Sequence, residues 1–147
     1  MKNLIFIVSL MLISFNSFSQ IQIKEDDRIL GIWLSEKQDG KIEIFKSGNN
    51  YFGKLIWGKS MYEADGKTSR KDLKNPEVKL RTRDYKNLIL LTNLIYKDGE
   101  YTGGQIYDTE SGKSYSCTMH IKSNQLKIKA YLGISLIGRT TEWTRVN

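Results

Sequence analysis

The chain contains a single cysteine and a single histidine, Cys117 and His120, which could in principle supply a nucleophile and its general base. Apolar and polar residues alternate from Tyr115 to Lys122, and this alternation predicts a β-strand with one buried face. Residues three apart on a strand point to opposite faces, so these two side chains cannot form a dyad with each other. Cys117 falls on the apolar face, where we expect a small, unreactive core residue.

The same composition argues against a metal or cofactor site. One cysteine and one histidine exclude a disulfide framework, a thiolate zinc site and every site built from several histidines. Glu63, Asp65, Gly66 and Asp72 fall at the third, fifth, sixth and twelfth positions of a calcium loop, but Met61 occupies the first position, where a carboxylate is needed. We therefore predict an ordinary Asp-Gly turn here rather than a calcium site, and no cofactor.

Two further patterns could indicate catalysis. Gly112-Lys113-Ser114 matches the end of a phosphate-binding loop, but Tyr107 stands where that motif requires glycine, so the sequence predicts a hairpin turn. Carboxylates for glycoside hydrolysis are available at Asp108, Glu110 and Glu142, but their spacing does not distinguish catalysis from solvated turn positions. No catalytic residues are predicted, and we expect a protein that is not an enzyme.

The elements that would position any site are β-strands, because the dominant period of the chain is two from residue 29 onward. Short turns such as Asp39-Gly40 and Asp98-Gly99 separate most of the strands, so sequential strands should pair in antiparallel fashion. The eight predicted strands are Ile29–Ser35, Lys41–Lys46, Tyr51–Lys59, Leu88–Tyr96, Tyr101–Asp108, Ser114–Lys122, Gln125–Ile134 and Ile137–Val146.

Eight strands in a meander leave two open edges unless the sheet closes. We therefore predict an all-β fold, a single antiparallel up-and-down barrel of eight strands over residues 29–147, with a two-sheet sandwich as the alternative. The strands are rich in tyrosine and tryptophan, which could fill the interior or line a ligand cavity. Folds that bind single-stranded nucleic acids share this aromatic and basic character, but they use five strands, and nucleic acid is not an expected partner.

The segment Ser60–Lys86 lacks clean alternation and holds the single proline of the chain, Pro76. Nine basic and five acidic residues lie between Lys59 and Lys86. Loops of this length in compact domains tend to be functional or disordered, so the segment is either a lid over one barrel mouth or a mobile surface excursion.

The N-terminal residues predict export. Lys2 precedes the apolar stretch Leu4–Ile13, and small residues at Ser17 and Ser19 suit signal-peptide cleavage, so we expect residues 1–19 to be removed and residues 20–28 to lead into the barrel. Ten apolar residues are too few to span a bilayer. The exported chain would keep a formal charge of +6 of the original +7, and it should be periplasmic or secreted and a monomer without a transmembrane segment. Anionic envelope components are conceivable partners for its basic surface.

Several short motifs resemble the bacterial family called domain of unknown function 2147. The resemblance runs from about residue 30 to residue 146 and is carried by Gly31-Ile32-Trp33-Leu34, Phe52-Gly53-Lys54-Leu55-Ile56-Trp57, Asp72-Leu73-Lys74-Asn75-Pro76, Leu80-Arg81-Thr82-Arg83, Gly103-Gly104-Gln105-Ile106-Tyr107-Asp108, Ser111-Gly112-Lys113-Ser114-Tyr115, Tyr131-Leu132-Gly133-Ile134, Gly138-Arg139-Thr140 and Trp143-Thr144-Arg145. It departs from the family pattern at Asp84 and Thr109, where the family has proline. The resemblance implies an exported, lipocalin-like barrel and no established activity.

Most of the shared glycines suit bends and bulges of a barrel, whereas the shared polar residues are harder to explain by architecture. The candidate ligand-binding residues are Asn75, Arg81, Arg83, Tyr107, Tyr131 and Arg139, whose competing role is to hydrogen-bond the long segment to the barrel rim. Barrel closure is assigned to Gly31, Trp33, Trp143 and Arg145. Two functions follow as the main hypotheses: a barrel that binds a small, partly apolar molecule, neutral or anionic, and an envelope protein that acts through its surface without an internal ligand. A hydrolase is the third alternative.

Overall fold

The structure, a computed structural model, describes residues 24–134 and 137–146. A short 3-10 helix at Glu25–Asp27 precedes eight strands. The strands are β1 Gly31–Ser35, β2 Gly40–Ser47, β3 Asn50–Gly58, β4 Ile89–Lys97, β5 Glu100–Asp108, β6 Lys113–Lys122, β7 Gln125–Tyr131 and β8 Gly138–Val146. The predicted signal peptide, residues 1–19, lies outside the described residues.

The strands form one closed antiparallel barrel in sequence order, which confirms the predicted fold. β1 closes the barrel by pairing with β8, with Trp33 opposite Arg145 and Ser35 opposite Trp143. Closure leaves neither strand with an unpaired edge. The start of β1 and the end of β8 lie at the same end of the barrel, since Ile32 lies opposite Val146.

A cluster of buried side chains fills one end of the barrel. It contains Ile29, Trp33, Ile42, Ile44, Tyr51, Leu91, Leu94, Tyr101, Cys117, Met119, Leu126 and Ile128. Residues 24–30 cross this end, where the Tyr101 hydroxyl donates to the Asp26 carbonyl at 2.8 Å and the Trp33 indole donates to the Ile29 carbonyl at 2.8 Å. We call this the plugged end of the barrel.

Ionic contacts reinforce the plug. The Lys46 ammonium lies 3.0 Å from an Asp26 oxygen and 2.8 Å from an Asp27 oxygen, and the Tyr51 hydroxyl donates to Asp27 at 3.1 Å. The hydrogen bond from Lys46 lowers the pKa of Asp27 below its ordinary value.

The opposite end, the mouth end, carries four connections: residues 36–39, 59–88, 109–112 and 132–137. Residues 59–88, the long connection, contain a second 3-10 helix at Val78–Leu80 and two isolated β-bridges, Tyr62 to Ser69 and Lys71 to Asp84. This internal pairing makes the segment an ordered structure over the mouth rather than a featureless loop.

Two predicted strand ends are wrong by two or three residues, and others, such as the start of β8, by one. β1 begins at Gly31 rather than Ile29, because Ile29 and Leu30 belong to the plug and the backbone turns at Gly31, where φ is +122° and an added Cβ would lie 2.9 Å from an Arg145 nitrogen. β7 ends at Tyr131 rather than Ile134, and β8 begins at Gly138. The apolar residues that extended both strands in the prediction instead belong to their connection.

Among the described residues, no helix is long and apolar enough to cross a membrane.

Candidate functional site

The side chain of Asp72 organises the mouth end. It is fully buried and accepts a hydrogen bond from the Tyr107 hydroxyl at 2.6 Å, from Asn75 Nδ2 at 2.9 Å and from Arg83 Nε at 2.9 Å. A second Arg83 nitrogen lies 2.8 Å from the same carboxylate oxygen as Nε. A buried carboxylate needs such partners, because an isolated charge in the interior is costly. We call Asp72, Asn75, Arg83 and Tyr107 the anchor cluster.

The anchor cluster joins two distant parts of the chain. Tyr107 lies on β5, whereas the other three residues lie on the long connection. The Arg83 guanidinium stacks on the Tyr107 ring at 5.3 Å from the ring centroid. Burial, followed by the hydrogen bond to Asp72, raises the pKa of Tyr107 to about 12, so its hydroxyl is a donor at physiological pH.

Further contacts hold the long connection against the barrel. Within the connection itself, Arg81 Nε donates to the Asn75 carbonyl at 2.7 Å. The Tyr85 hydroxyl reaches the barrel and donates to the Thr109 carbonyl at 3.2 Å. Lys74 Nζ donates to the Glu110 carbonyl at 2.5 Å. The connection is thereby fixed to the turn between β5 and β6 as well as to β5 itself.

The long connection partly covers a cavity of about 480 Å³ in the barrel mouth. Leu55 on β3, Leu90 on β4 and Trp143 on β8 contribute apolar walls from facing sides of the barrel, so the cavity lies within the mouth and not on the outer surface. The remaining lining residues are Asp39, Gly58, Ser60, Met61, Arg70, Lys74, Tyr85, Tyr107, Asp108, Thr109 and Glu110. This mouth cavity has the size and the mixed apolar and polar lining of a small-molecule site.

A second cavity of about 280 Å³ adjoins the first, since Asp39 and Trp143 line both. Two basic residues, Arg139 and Lys37, line this side cavity together with the carboxylates of Glu36, Asp39 and Glu142. Arg139 lies opposite Ala130 on the strand face that also carries Thr141 and Trp143, which places it on the inward face of β8 at the rim. It is exposed, and no salt bridge within the described part of the chain involves it.

Of the six predicted ligand-binding residues, four therefore surround Asp72 or its immediate neighbours: Asn75, Arg81, Arg83 and Tyr107. Asn75 and Arg83 contact Tyr107 on β5, as in the competing role, whereas Arg81 bonds within the long connection. Tyr107 also lines the mouth cavity. Arg139 stands apart at the side cavity. Tyr131 lies opposite Ser116 and Gly138 on the outward face of β7, so the structure does not bring it into either group.

Sequence reasoning missed the apolar walls of the mouth cavity. Leu55 and Leu90 fall beside irregularities in strand register, at the β2–β3 and β3–β4 pairings, where simple alternation no longer indicates which face a residue occupies. Trp143 was assigned to barrel closure, and it does lie on a closing strand opposite Ser35, but it also lines both cavities.

The remaining closure residues meet at the plugged end. The Arg145 guanidinium lies 4.3 Å from the Trp33 ring centroid, donates to the Leu30 carbonyl at 2.7 Å and also donates to the Arg28 carbonyl. A further cavity of about 580 Å³ lies beside this contact and is lined by Asp27, Arg28, Leu30, Trp33, Ile121, Asn124, Thr144 and Arg145. Although it is larger, the polar groups around Arg145 in it are already engaged by the plug, so we favour the mouth cavity as the site.

The thiol of Cys117 is fully buried, and burial raises its pKa to about 12, which keeps it protonated and inert. His120 pairs with Lys127 on the outer face of the same strand. Within residues 24–134 and 137–146, no group of three or more His, Cys, Asp or Glu side chains is arranged to hold a metal ion.

Comparison with known proteins places this geometry in context. No curated protein matches the chain. The structure is similar to that of protein HP1028 from the human pathogen Helicobacter pylori, described as belonging to the lipocalin family, with a TM-score of 0.69, 27% sequence identity and coverage of 81% of this chain and 83% of that chain. The family model DUF2147, described as an uncharacterized protein conserved in bacteria, matches residues 31–145. The chain therefore belongs to the DUF2147 family, and its closed eight-stranded barrel is lipocalin-like.

Proposed function

We propose that the protein is exported and binds a small, partly apolar molecule in the mouth cavity. The observation that carries this proposal is the mouth cavity: about 480 Å³ lies open within the barrel mouth, walled by apolar side chains from facing strands and partly covered by the long connection. A barrel packed solid throughout would have no room for an internal ligand. The lipocalin-like fold and the family of unknown function favour a binding protein over an enzyme.

The lining indicates how such a molecule would be held. Leu55, Leu90 and Trp143 would contact its apolar part, since burial of apolar surface is the main source of affinity in such pockets. An anionic group of the ligand would lie at the rim near Arg139, whose guanidinium has no ion-pair partner among the described residues. The anchor cluster serves this function indirectly, because it fixes the long connection over the cavity.

Retrieval of the natural ligand tests the proposal directly. The protein, isolated from the envelope of its own host, would be examined by native mass spectrometry for a retained small molecule. The amphiphilic anion 8-anilino-1-naphthalenesulfonate then serves as a defined probe for the purified protein. We expect fluorescence titration to show one saturable site for this probe.

Two neighbouring substitutions on β4 provide a matched pair. Leu90→Trp fills the mouth cavity, so it should abolish both the mass signal of the retained ligand and the binding of the probe. Ile89 lies outside the cavity lining, so Ile89→Trp should change neither. Arg139→Gln should weaken probe binding about fivefold or more if an anionic group lies at the rim. Equal binding by wild type and Leu90→Trp, or no binding by either, would favour the surface-acting alternative.

A further inference from the structure

Exposed apolar side chains are concentrated at the mouth end of the barrel. Eight large apolar residues of the described chain are exposed, and seven of them lie on mouth-end connections or on strand ends next to them: Trp57, Leu73, Val78, Ile89, Leu132, Ile134 and Ile137. Five of these seven are 66–78% exposed. The eighth, Ile95 on β4, is 44% exposed. Single exposed apolar residues are normal on a protein surface, but a set gathered at one end indicates an interaction surface.

The plugged end has a different surface. Its three turns consist of Gly48-Asn49, Asp98-Gly99 and Ser123-Asn124, and none of the exposed large apolar residues lies in them. Together with residues 24–30 these turns carry two basic and four acidic residues. The four mouth-end connections carry ten basic and eight acidic residues. These connections therefore carry a net charge of −2 at the plugged end and +2 at the mouth end, and the exposed large apolar residues are concentrated at the mouth end.

Basic and apolar side chains alternate closely along the long connection. Leu73 is 69% exposed between the exposed residues Lys71 and Lys74, and Val78 is 70% exposed next to exposed Lys79. The connection between β7 and β8 contributes apolar residues without any charge, and exposed Arg139 follows it directly. Apolar tips beside lysines and arginines combine the two attractions that bring a protein to an anionic bilayer.

We propose that the mouth end docks on the surface of an anionic lipid bilayer. Leu132, Ile134 and Ile137 enter the boundary between headgroups and acyl chains, as do Leu73 and Val78, while the exposed side chains of Lys79 and Arg139 contact lipid phosphates. A protein partner, or a second copy of this chain, is less well matched. The closed barrel offers no free strand edge for pairing, and the exposed residues sit on separate loops rather than in a groove.

This inference is independent of the ligand proposed above, but it adds to it. Docking through this end points the mouth cavity at the bilayer, so a partly apolar molecule could pass between membrane and barrel without crossing bulk water. The anchor cluster would then hold both the cavity cover and the Leu73 and Val78 side chains in position.

Vesicle flotation tests the docking. Protein comprising residues 20–147 is used, because the apolar stretch at residues 4–13 would bind vesicles by itself. Vesicles of phosphatidylcholine alone are compared with vesicles containing equal parts of phosphatidylglycerol and phosphatidylcholine. We expect binding to the anionic vesicles that weakens on addition of 0.5 M sodium chloride, as electrostatic attraction is screened.

Matched substitutions identify the surface. Ile137→Ser should weaken binding about tenfold, Lys79→Gln about fivefold, and Ile95→Ser should leave binding unchanged because it lies away from the mouth. A urea midpoint equal to that of the wild type for each variant excludes loss of folding. Three outcomes would overturn the proposal: no binding to anionic vesicles, equal binding by all variants, or vesicle-independent dimers in sedimentation that Ile137→Ser abolishes.

Discussion

The fully buried carboxylate of Asp72 collects donors from three side chains: Tyr107, Asn75 and Arg83. Its contribution differs from that of the surface ion pairs nearby. Asp84, for example, contacts Lys71 at 2.7 Å, but about half of each of these two side chains is exposed to water. Exposed pairs contribute little to stability, whereas loss of a buried partner leaves desolvated donors without an acceptor.

We expect Asp72→Ala to destabilise the fold by about 1–3 kcal/mol and to release the long connection from β5. Urea denaturation would report the first effect. Faster trypsin cleavage after the basic residues of the long connection would report the second. Asp84→Ala is the control and should change stability by less than about 0.5 kcal/mol. Equal protease sensitivity of Asp72→Ala and the wild type would show that other contacts hold the connection.

Ionisation of the Tyr107 hydroxyl makes the free energy of unfolding depend on pH in the alkaline range. Its pKa is about 12 in the folded protein and about 10 when unfolded, so the proton is held more tightly by the folded state. The resulting stability is present in full below about pH 10 and is lost as pH rises toward 12. Burial also raises the pKa of Tyr51 and of Tyr101, which adds to the same trend.

The measurement is the free energy of unfolding between pH 8 and pH 12. Tyr107→Phe should lower this free energy by about 1–2 kcal/mol at pH 8, because Asp72 loses a donor. Above pH 10 the free energy of unfolding of the variant should fall less steeply with pH than that of the wild type. Parallel pH curves for the two proteins would contradict this assignment.

The polar residues of the site were identifiable from the sequence, but their arrangement was not. Asn75, Arg83 and Tyr107 stood out because architecture did not explain them. The acceptor that unites them is Asp72, whereas the carboxylates of Asp84 and Glu142 pair elsewhere, with Lys71 and Lys127. Asp72 and Tyr107 are separated by 35 residues, and only the path of the long connection decides that they meet.

At the level of elements, the seam between β1 and β8 decides whether the sheet is closed. Four residue pairs form this ladder, and β1 is the shortest of the eight strands. Arg145 adds side-chain contacts across the seam, since it stacks on Trp33 and donates to carbonyls of the plug segment. One side chain thus joins the last strand, the first strand and the plug.

Arg145→Ala should lower the free energy of unfolding by about 1–2 kcal/mol, through loss of the cation–π contact and of the hydrogen bonds to the plug. Arg139→Ala is the matched control on the same strand and should stay within about 0.5 kcal/mol of the wild type. Thermal unfolding followed by circular dichroism would measure both. Equal midpoints for the two variants would show that backbone pairing alone closes the barrel.

The number, order and pairing of the strands were predictable, because polar turns and period-two alternation mark each hairpin. The deviations occur where a second requirement competes with alternation. At Asn93 the backbone has φ of +58°, and the buried residues of β4 on either side of it, Leu91 and Leu94, are three positions apart, so strict alternation is broken. Such irregularities depend on contacts with neighbouring strands, which no single segment of sequence contains.

On the scale of the whole molecule, tight packing and exposed apolar residues are found in different parts of the barrel. Packing is tight in the middle, where a Cβ added at Gly104 would lie 2.3 Å from the Leu94 side chain. The mouth end holds an open cavity and most of the exposed large apolar residues of the described chain. Substitutions at the plugged end should therefore change stability, and substitutions at the mouth should change binding.

The export prediction is tested by the intact mass of the protein recovered from its host. We expect a chain that begins at Gln20, because Ser17 and Ser19 suit cleavage after residue 19. Sedimentation of the same material should give the mass of a monomer. Recovery of a chain that retains residues 1–19 would show that this segment is an anchor.

The shared location of the β1 start and the β8 end has a practical consequence for protein engineering. Ile32 lies opposite Val146 at the plugged end, so anything joined to either strand there projects away from the mouth. A reporter domain or an immobilisation tag fused beyond β8 would leave the cavity open to the sample. If the mouth cavity binds a ligand as proposed, the tethered barrel would serve as a biosensor whose specificity is changed in the mouth loops while its attachment point stays the same.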